Sequence, residues 1–118
     1  MISMREAYEK IGANYDDACA RLMGEEMLAR FALKFLDDES MDKLEAAMAA
    51  GDAKEAFMAA HTLKGVSQNL GFDNLYEPAV VVTEALRGAD TVDGAREGMH
   101  ALQQQYAATM SALREAAE

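Results

Sequence analysis

One histidine of this sequence stands in a pattern that suits chemistry on an exposed helix. At about 100° per residue, the segment 56–70 forms an amphipathic helix with alanine, leucine and valine on one face. His61 lies on the opposite, polar face, together with three residues one or two turns further on, Lys64, Gly65 and Gln68. Imidazole is a good nucleophile near neutral pH, because its reference pKa is about 6.5. The spacing therefore predicts an exposed histidine nucleophile.

The residues around this histidine suit the handling of a phosphoryl group. Lys64 projects one turn along the helix, close enough to neutralise phosphoryl oxygens on the ring. Gly65 costs roughly 1 kcal/mol in a helix interior, which is understandable if the backbone of a partner must approach closely. Gln68 adds a neutral amide donor on the next turn. We expect His61 to accept the phosphoryl group and Lys64 to support its charge.

The segment HTLKG at 61–65, followed by NLG at 69–71, resembles the His-x-Leu-Lys-Gly…Leu-Gly signature of histidine-containing phosphotransfer (HPt) domains. The resemblance extends from about Glu25 to Arg87. It implies a helical bundle whose exposed histidine takes a phosphoryl group from an aspartyl phosphate or a sensor kinase and passes it on. It also implies that a partner receiver domain supplies the acidic pocket and Mg²⁺, so no cofactor is expected on this chain.

Composition predicts one helical domain. The chain has 118 residues, of which 51% are hydrophobic, with one proline and few aromatic residues, and we expect residues 1–118 to form a single HPt-like domain. A formal net charge of −10 leaves no basic stripe for nucleic acid. The same charge disfavours docking to anionic membrane surfaces. Neither nucleic acid nor membrane is therefore an expected partner.

Cysteine content and the apolar runs predict a cytoplasmic setting. Cys19 is the only cysteine, so an intrachain disulfide cannot form. The start of the chain, residues 1–6, lacks the apolar core of a signal peptide. No apolar run approaches the roughly 20 residues that a membrane helix needs. We expect a soluble protein that stays inside the cell.

Periodicity and short connections predict an all-α fold, an antiparallel up-down-up-down four-helix bundle in residues 24–117. One or two short helices in residues 1–23 are expected to pack across one end. The first bundle helix starts at Glu25, and the acidic segment 37–40 permits either a break capped by Ser40 or one bent helix.

Turn and capping residues predict the remaining helix ends. Gly51 and Asp52 end one helix and begin the His61 helix. Asn74 as N-cap of the next helix would place Pro78 near its first turn, where proline is tolerated. The final residues 114–118 are expected to form a loose end.

An apolar pair lies beside the histidine. Phe57 precedes His61 by four residues on the same side, and Met58 lies at the edge of that face. Such a pair suggests a docking patch for another protein, in which Gly65 would allow close approach. The alternative is that the short N-terminal helices cover Phe57, and both interpretations stay open at this point.

The following helix offers polar residues to the histidine. The chain is expected to turn around residues 71–74, so residues that face each other across the two antiparallel helices have numbers that sum to about 144. Thr83 then lies opposite His61, and Arg87 lies opposite Phe57. HPt domains often use a polar side chain here to fix the imidazole tautomer. Thr83 is the short candidate and Glu84 the anionic one, with Arg87 as a further phosphate partner. For Glu84 and Arg87, the preferred interpretation is that each is an ordinary charged residue on the surface.

A metal centre is the competing chemistry for a helical bundle. Glu97 and His100 have the Glu-x-x-His spacing of bundle di-iron sites, which need two such pairs. The position three residues before His61 is Met58 rather than a glutamate, and the chain has only two histidines. We therefore expect no metal site, and His100 to be an ordinary surface residue.

The sequence favours a stand-alone histidine phosphotransfer protein in a two-component phosphorelay. Its expected partners are receiver domains of response regulators, a hybrid sensor histidine kinase, or both. It would be a phosphocarrier rather than an enzyme, since nothing resembles a nucleotide site. The alternative is a helical-bundle adaptor that binds a receiver or kinase domain through the same face without chemistry.

Overall fold

Seven α-helices make up the part of the chain that the computed structural model describes, residues 1–117. They are α1 (Met4–Ile11), α2 (Tyr15–Leu22), α3 (Glu25–Lys34), α4 (Ser40–Ala50), α5 (Ala53–Asn69), α6 (Asp73–Leu86) and α7 (Arg96–Ala117). Short 3-10 turns lie at Phe35–Asp37 and Asp93–Ala95. No strand occurs in these residues, and the predicted all-α class is confirmed.

The helix that carries His61 begins and ends where local chemistry predicts. Gly51 ends α4 with a φ of 72°, a left-handed conformation that costs glycine nothing. The carboxylate of Asp52 then accepts a hydrogen bond from the Glu55 backbone N–H at 3.1 Å and caps α5. Gly71, with a φ of 71°, turns the chain after α5. The length and position of α5 are thus set by residues at its own ends.

The acidic segment after α3 breaks the first bundle helix rather than bending it. The chain passes through the 3-10 turn Phe35–Asp37 before α4 starts at Ser40. The prediction that Ser40 caps α4 is wrong, because Glu39 occupies the N-cap position. Ser40 is the first helical residue, and its backbone N–H donates to the Asp38 carboxylate at 2.8 Å.

Two other predicted helix ends are also corrected. α6 begins at Asp73, so Asn74 is inside it and Pro78 lies in its second turn. The amide of Asn74 donates instead to α7, to Gln105 at 2.9 Å and Thr109 at 3.0 Å. The expected loose end is helical through Ala117, and it packs on α1, where Glu115 also pairs with Lys10 at 2.9 Å. Glu118 lies outside the described residues.

The bundle packs around a leucine-rich core. α5 packs between α4 and α6, α6 packs on α7, and α3 also contacts α7. The consecutive helices α4, α5, α6 and α7 each pack on the next one, and the fold is the predicted helical bundle. Each helix from α3 to α7 contributes at least one fully buried leucine, each of which stabilises the fold by about 1.5–3 kcal/mol. These leucines are Leu28, Leu44, Leu63, Leu75, Leu102 and Leu113.

The two N-terminal helices pack at one end of the bundle, as predicted, and the structure shows that this is the end where α5 turns into α6. The hydroxyl of Tyr8 donates to the Leu70 carbonyl at 2.7 Å, and the backbone N–H of Asn14 donates to the Gly71 carbonyl at 2.8 Å. A Cβ at Gly71 would lie 2.6 Å from the Asn14 carbonyl oxygen, so this contact requires glycine.

No helix within residues 1–117 is both long enough and apolar enough to cross a membrane.

Candidate functional site

His61 is exposed near the middle of α5, whose other face is buried in the core. The buried face is formed by Ala56, Ala59, Ala60, Leu63 and Ser67. Ser67 is tolerated there because its hydroxyl donates to the Leu63 carbonyl one turn earlier, at 2.8 Å. The helical period therefore leaves the imidazole in contact with solvent.

The residues that share this exposed surface, which we call the His61 face, are Lys64, Gly65 and Gln68. Gly65 and Gln68 are exposed, and Lys64 is half-buried. A Cβ placed on Gly65 would meet no atom within 4 Å, so nothing inside the protein requires a glycine there. The surface beside the imidazole is thus bare backbone that a large partner can approach.

An aromatic ring stacks beside the imidazole. The ring centroids of Phe57 and His61 are 5.9 Å apart, and the ring planes are inclined by 18°. The guanidinium of Arg87 lies over the Phe57 ring, 5.1 Å from its centroid. Arg87, at the end of α6, therefore covers Phe57, whereas Tyr8 and Asn14 of the N-terminal segment contact the other end of α5, at Leu70 and Gly71. The predicted opposition of Phe57 and Arg87 is confirmed by this contact.

Met58, the second residue of the apolar pair, is 54% exposed. It borders a groove of about 620 Å³ between α4 and α5, which is lined by Ala47, Ala50 and Ala59 among others. The groove is mostly apolar in area, although Lys43, Asp52 and Glu55 also line it, and it lies beside the turn of α5 that carries His61. An exposed methionine next to an alanine-lined groove provides area for contact with another protein.

Thr83 cannot donate a hydrogen bond to the imidazole, which corrects the sequence-based candidate. Its side chain is fully buried, and its hydroxyl donates to the Ala79 carbonyl of its own helix at 2.7 Å. The hydroxyl has a single hydrogen to donate, and it is already donated to a backbone carbonyl of α6. The pairing by residue number correctly places Thr83 at the level of His61 along α6, but the side chain faces the core.

Glu84 is the polar residue of α6 that lies within electrostatic reach of His61. Its carboxylate accepts a hydrogen bond from Arg87 Nε at 2.7 Å. This bond lowers the pKa of Glu84 below its usual value, and the nearby positive charges of Arg87 and Lys64 lower it further. The carboxylate therefore stays ionised beside the His61 face.

One residue near the site was missed in the sequence. The guanidinium of Arg21, in α2, donates to the Gln68 main-chain carbonyl and also to Asp17 at 2.7 Å. With Gly65, Gln68 and Asn69, Arg21 lines a hollow of about 270 Å³ at the edge of the His61 face. No pattern in the sequence signals this contact, because it depends on how α2 packs against the end of α5.

Two observations bear on metal binding. Within residues 1–117, no three His, Cys, Asp or Glu side chains come close enough together to hold a metal ion. His100, from the Glu-x-x-His pair, is exposed on α7 beside a groove of about 390 Å³ lined also by Arg96 and Gln103.

Comparison with known families identifies the architecture that carries this site. A family model described as Hpt domain matches residues 36–116, which is more than half of the chain. The match spans α4 to α7 and includes His61, but it leaves α1, α2 and α3 outside. No curated protein and no solved structure matches the chain significantly. The chain therefore belongs to the Hpt domain family, the phosphocarriers that transfer phosphoryl groups through a histidine in two-component signalling.

Proposed function

We propose that this chain is a stand-alone phosphocarrier that shuttles a phosphoryl group between receiver-domain aspartates, or from a hybrid sensor kinase, through His61. Hpt domains interact with receiver domains and histidine kinases in phosphorelays. The observation that carries the proposal is the bare helical surface at Gly65 beside an exposed imidazole. A receiver domain is large, so its phosphorylated aspartate reaches the imidazole only if the helix offers such an opening.

The transfer needs no further reactant. A ring nitrogen of His61 attacks the phosphorus of the aspartyl phosphate, and a P–N bond forms as the P–O bond to the aspartate breaks. The aspartate leaves as a carboxylate with the electron pair of the broken bond. The other ring nitrogen of His61 keeps its proton, so the phosphorylated ring carries one positive charge beside the phosphoryl dianion. In the second transfer, the aspartate of another receiver attacks phosphorus and the imidazole leaves. Catalysis consists of positioning and charge neutralisation, with Mg²⁺ supplied by the receiver.

Lys64 supplies charge support in this proposal. It lies one turn after His61, and a lysine ammonium is a compact charge that suits phosphoryl oxygens. Gln68 adds an amide donor at the far edge of the face, and Arg87 is a further cation one stacked ring away. We expect Lys64 to contribute most, since it belongs to the same helix surface as the nucleophile.

The charge of α5 supports an acidic partner. The whole chain has a net charge of −10, whereas α5 carries Lys54 and Lys64 against the single carboxylate of Glu55. An acidic phosphorylation pocket is therefore attracted to this helix more than to the rest of the surface. The exposed Met58 provides apolar area for the same partner. The cytoplasmic setting stays a prediction.

Incubation with a phosphorylated receiver domain tests the proposal. The expected product is an acid-labile, base-stable label on the protein, which disappears in His61→Gln and persists in His100→Gln. His100 is the matched control, because it is the other histidine and is also exposed on a helix. Label that survives unchanged in His61→Gln would overturn the assignment.

A non-catalytic adaptor is the second candidate. The exposed Met58 and the adjoining groove favour binding whether or not chemistry follows. An adaptor would bind a receiver with equal affinity in the wild type and His61→Ala, and it would acquire no label. Transfer from the receiver to His61 would exclude it.

A further inference from the structure

The imidazole of His61 has a defined neighbour on its own helix. Phe57 precedes it by one turn, and the two rings lie nearly parallel, with centroids 5.9 Å apart. This distance is within the range of offset stacking between aromatic rings. An unrestrained histidine on a helix surface samples more than one χ1 well and both ring orientations. The stack favours one of these arrangements.

Phe57 is itself held in place from α6. The guanidinium carbon of Arg87 lies 5.1 Å from the Phe57 ring centroid, in cation–π geometry. The same guanidinium donates to Glu84 at 2.7 Å. Arg87 directly follows the last residue of α6 and has an extended ψ of 115°, which directs the chain away from the helix. The three residues thus connect the end of α6 to the nucleophile on α5.

Other means of fixing the ring are weaker. Thr83 is buried with its hydroxyl engaged, and Lys64 is a cation that has no acceptor to offer an imidazole N–H. The carboxylate of Glu84 accepts a hydrogen bond from Arg87 Nε at 2.7 Å, so it is paired with that guanidinium. The contact that the structure shows for the imidazole ring itself is the stack on Phe57.

We propose that Phe57 is a positioning residue that holds the His61 imidazole in its attacking orientation, with Arg87, anchored by Glu84, holding Phe57 in turn. The inference rests on the proposed function in taking His61 as the phosphoacceptor. It assigns Phe57 a task distinct from docking, because a positioned ring reacts faster with every donor, large or small. Pre-orienting the nucleophile raises the rate constant, because a free ring spends part of its time in arrangements that do not react.

Phosphoramidate separates positioning from docking, since it phosphorylates imidazoles and is too small to need a protein surface. In this reaction a ring nitrogen attacks phosphorus, the P–N bond of phosphoramidate breaks, and ammonia leaves. If two χ1 wells and two ring orientations become accessible, Phe57→Leu lowers the rate constant by about two- to fourfold. The same factor is expected with a phosphorylated receiver, with an unchanged Kd for that receiver. Phe57→Tyr, which keeps the ring, retains the wild-type rate.

NMR of the His61 ring supplies a measurement that a general structural role of Phe57 would not change. Ring-current shifts of the imidazole protons are expected in the wild type and in Phe57→Tyr, and they are lost in Phe57→Leu. Arg87→Gln is expected to reduce these ring-current shifts in part. Two control variants leave them unchanged: Phe31→Leu, which removes a ring near Lys34, and Arg96→Gln, which breaks an analogous pair with Asp93.

The outcomes are distinct. A fall in rate with the receiver alone, together with a raised Kd, would show that Phe57 is a docking contact and overturn the proposal. Unchanged ring shifts in Phe57→Leu would also overturn it. If no receiver labels wild-type His61, the proposed function fails, whereas the ring shifts and the phosphoramidate rates still decide whether Phe57 positions the imidazole.

Discussion

Gly65→Ala is expected to stabilise the protein while impairing its reaction with a receiver domain. Gly65 lies inside α5, and a Cβ there meets no atom within 4 Å, so alanine enters without a clash. Alanine is favoured over glycine in a helix interior by about 1 kcal/mol. Because the site is exposed, no buried area changes and the helix propensity is the whole effect. For a chain of this size, that corresponds to a rise in Tm of about 4 °C.

The expected loss of function arises from the same methyl group. If the backbone of a receiver lies against the bare helix at Gly65, the methyl overpacks that contact, which costs about 1–3 kcal/mol. The rate of transfer from a phosphorylated receiver then falls by about 5- to 150-fold. Phosphorylation by phosphoramidate is expected to stay at the wild-type rate, because a small donor does not cover Gly65.

Urea denaturation and the two phosphorylation assays measure these effects on the same preparations. Gly98→Ala is the matched control, since a Cβ there would lie 3.3 Å from Val82 Cγ2 and 3.4 Å from Val81 Cγ1. We expect it to gain less stability than Gly65→Ala and to leave transfer unchanged. Wild-type transfer from the receiver in Gly65→Ala would refute the close approach, and a loss of stability would refute the open geometry of α5.

Three further predictions follow from the helix ends and from α6. Asp52→Ala removes the cap of α5 and is expected to lower the free energy of unfolding by about 1 kcal/mol in urea, whereas Asp52→Asn retains most of it. Thr83→Val is expected to leave both phosphorylation rates unchanged, because the hydroxyl serves Ala79 rather than His61; a slower rate would contradict the assignment of Thr83 to the core. The folded-state pKa of Glu84 is lowered, so its stabilising contribution is present above the ordinary glutamate pKa of about 4.3 and is lost as the pH falls through the lower folded value. The stability difference between wild type and Glu84→Gln, measured in urea at pH 7 and pH 3, should therefore be larger at pH 7, and an equal difference would contradict this.

Features that depend on neighbouring residues were predictable from the sequence. The cap of α5 by Asp52, the glycine turn at Gly51 and the exposed position of His61 need only capping chemistry and the 3.6-residue period. The HTLKG segment also indicated the family, which the Hpt domain match confirms. The opposition of Phe57 and Arg87 followed from the short turn between α5 and α6, because a tight hairpin sets the register of both helices.

Features that depend on distant segments were not predictable. Thr83 lies at the height of His61, but the rotation of α6 about its axis turns it into the core. The end of α7 is helical where it packs on α1, and Lys10, more than a hundred residues earlier in the chain, pairs there with Glu115. Arg21 reaches α5 only because α2 packs on the turn at Gly71.

The sequence alone thus determined the helix that carries the nucleophile, the face on which the imidazole stands and the family to which the chain belongs, since periodicity and capping act within a few residues. Only the tertiary structure decided which side chain contacts the imidazole. That choice depends on where α6 ends and how Arg87 leaves it, and no local rule relates those features to a residue on another helix.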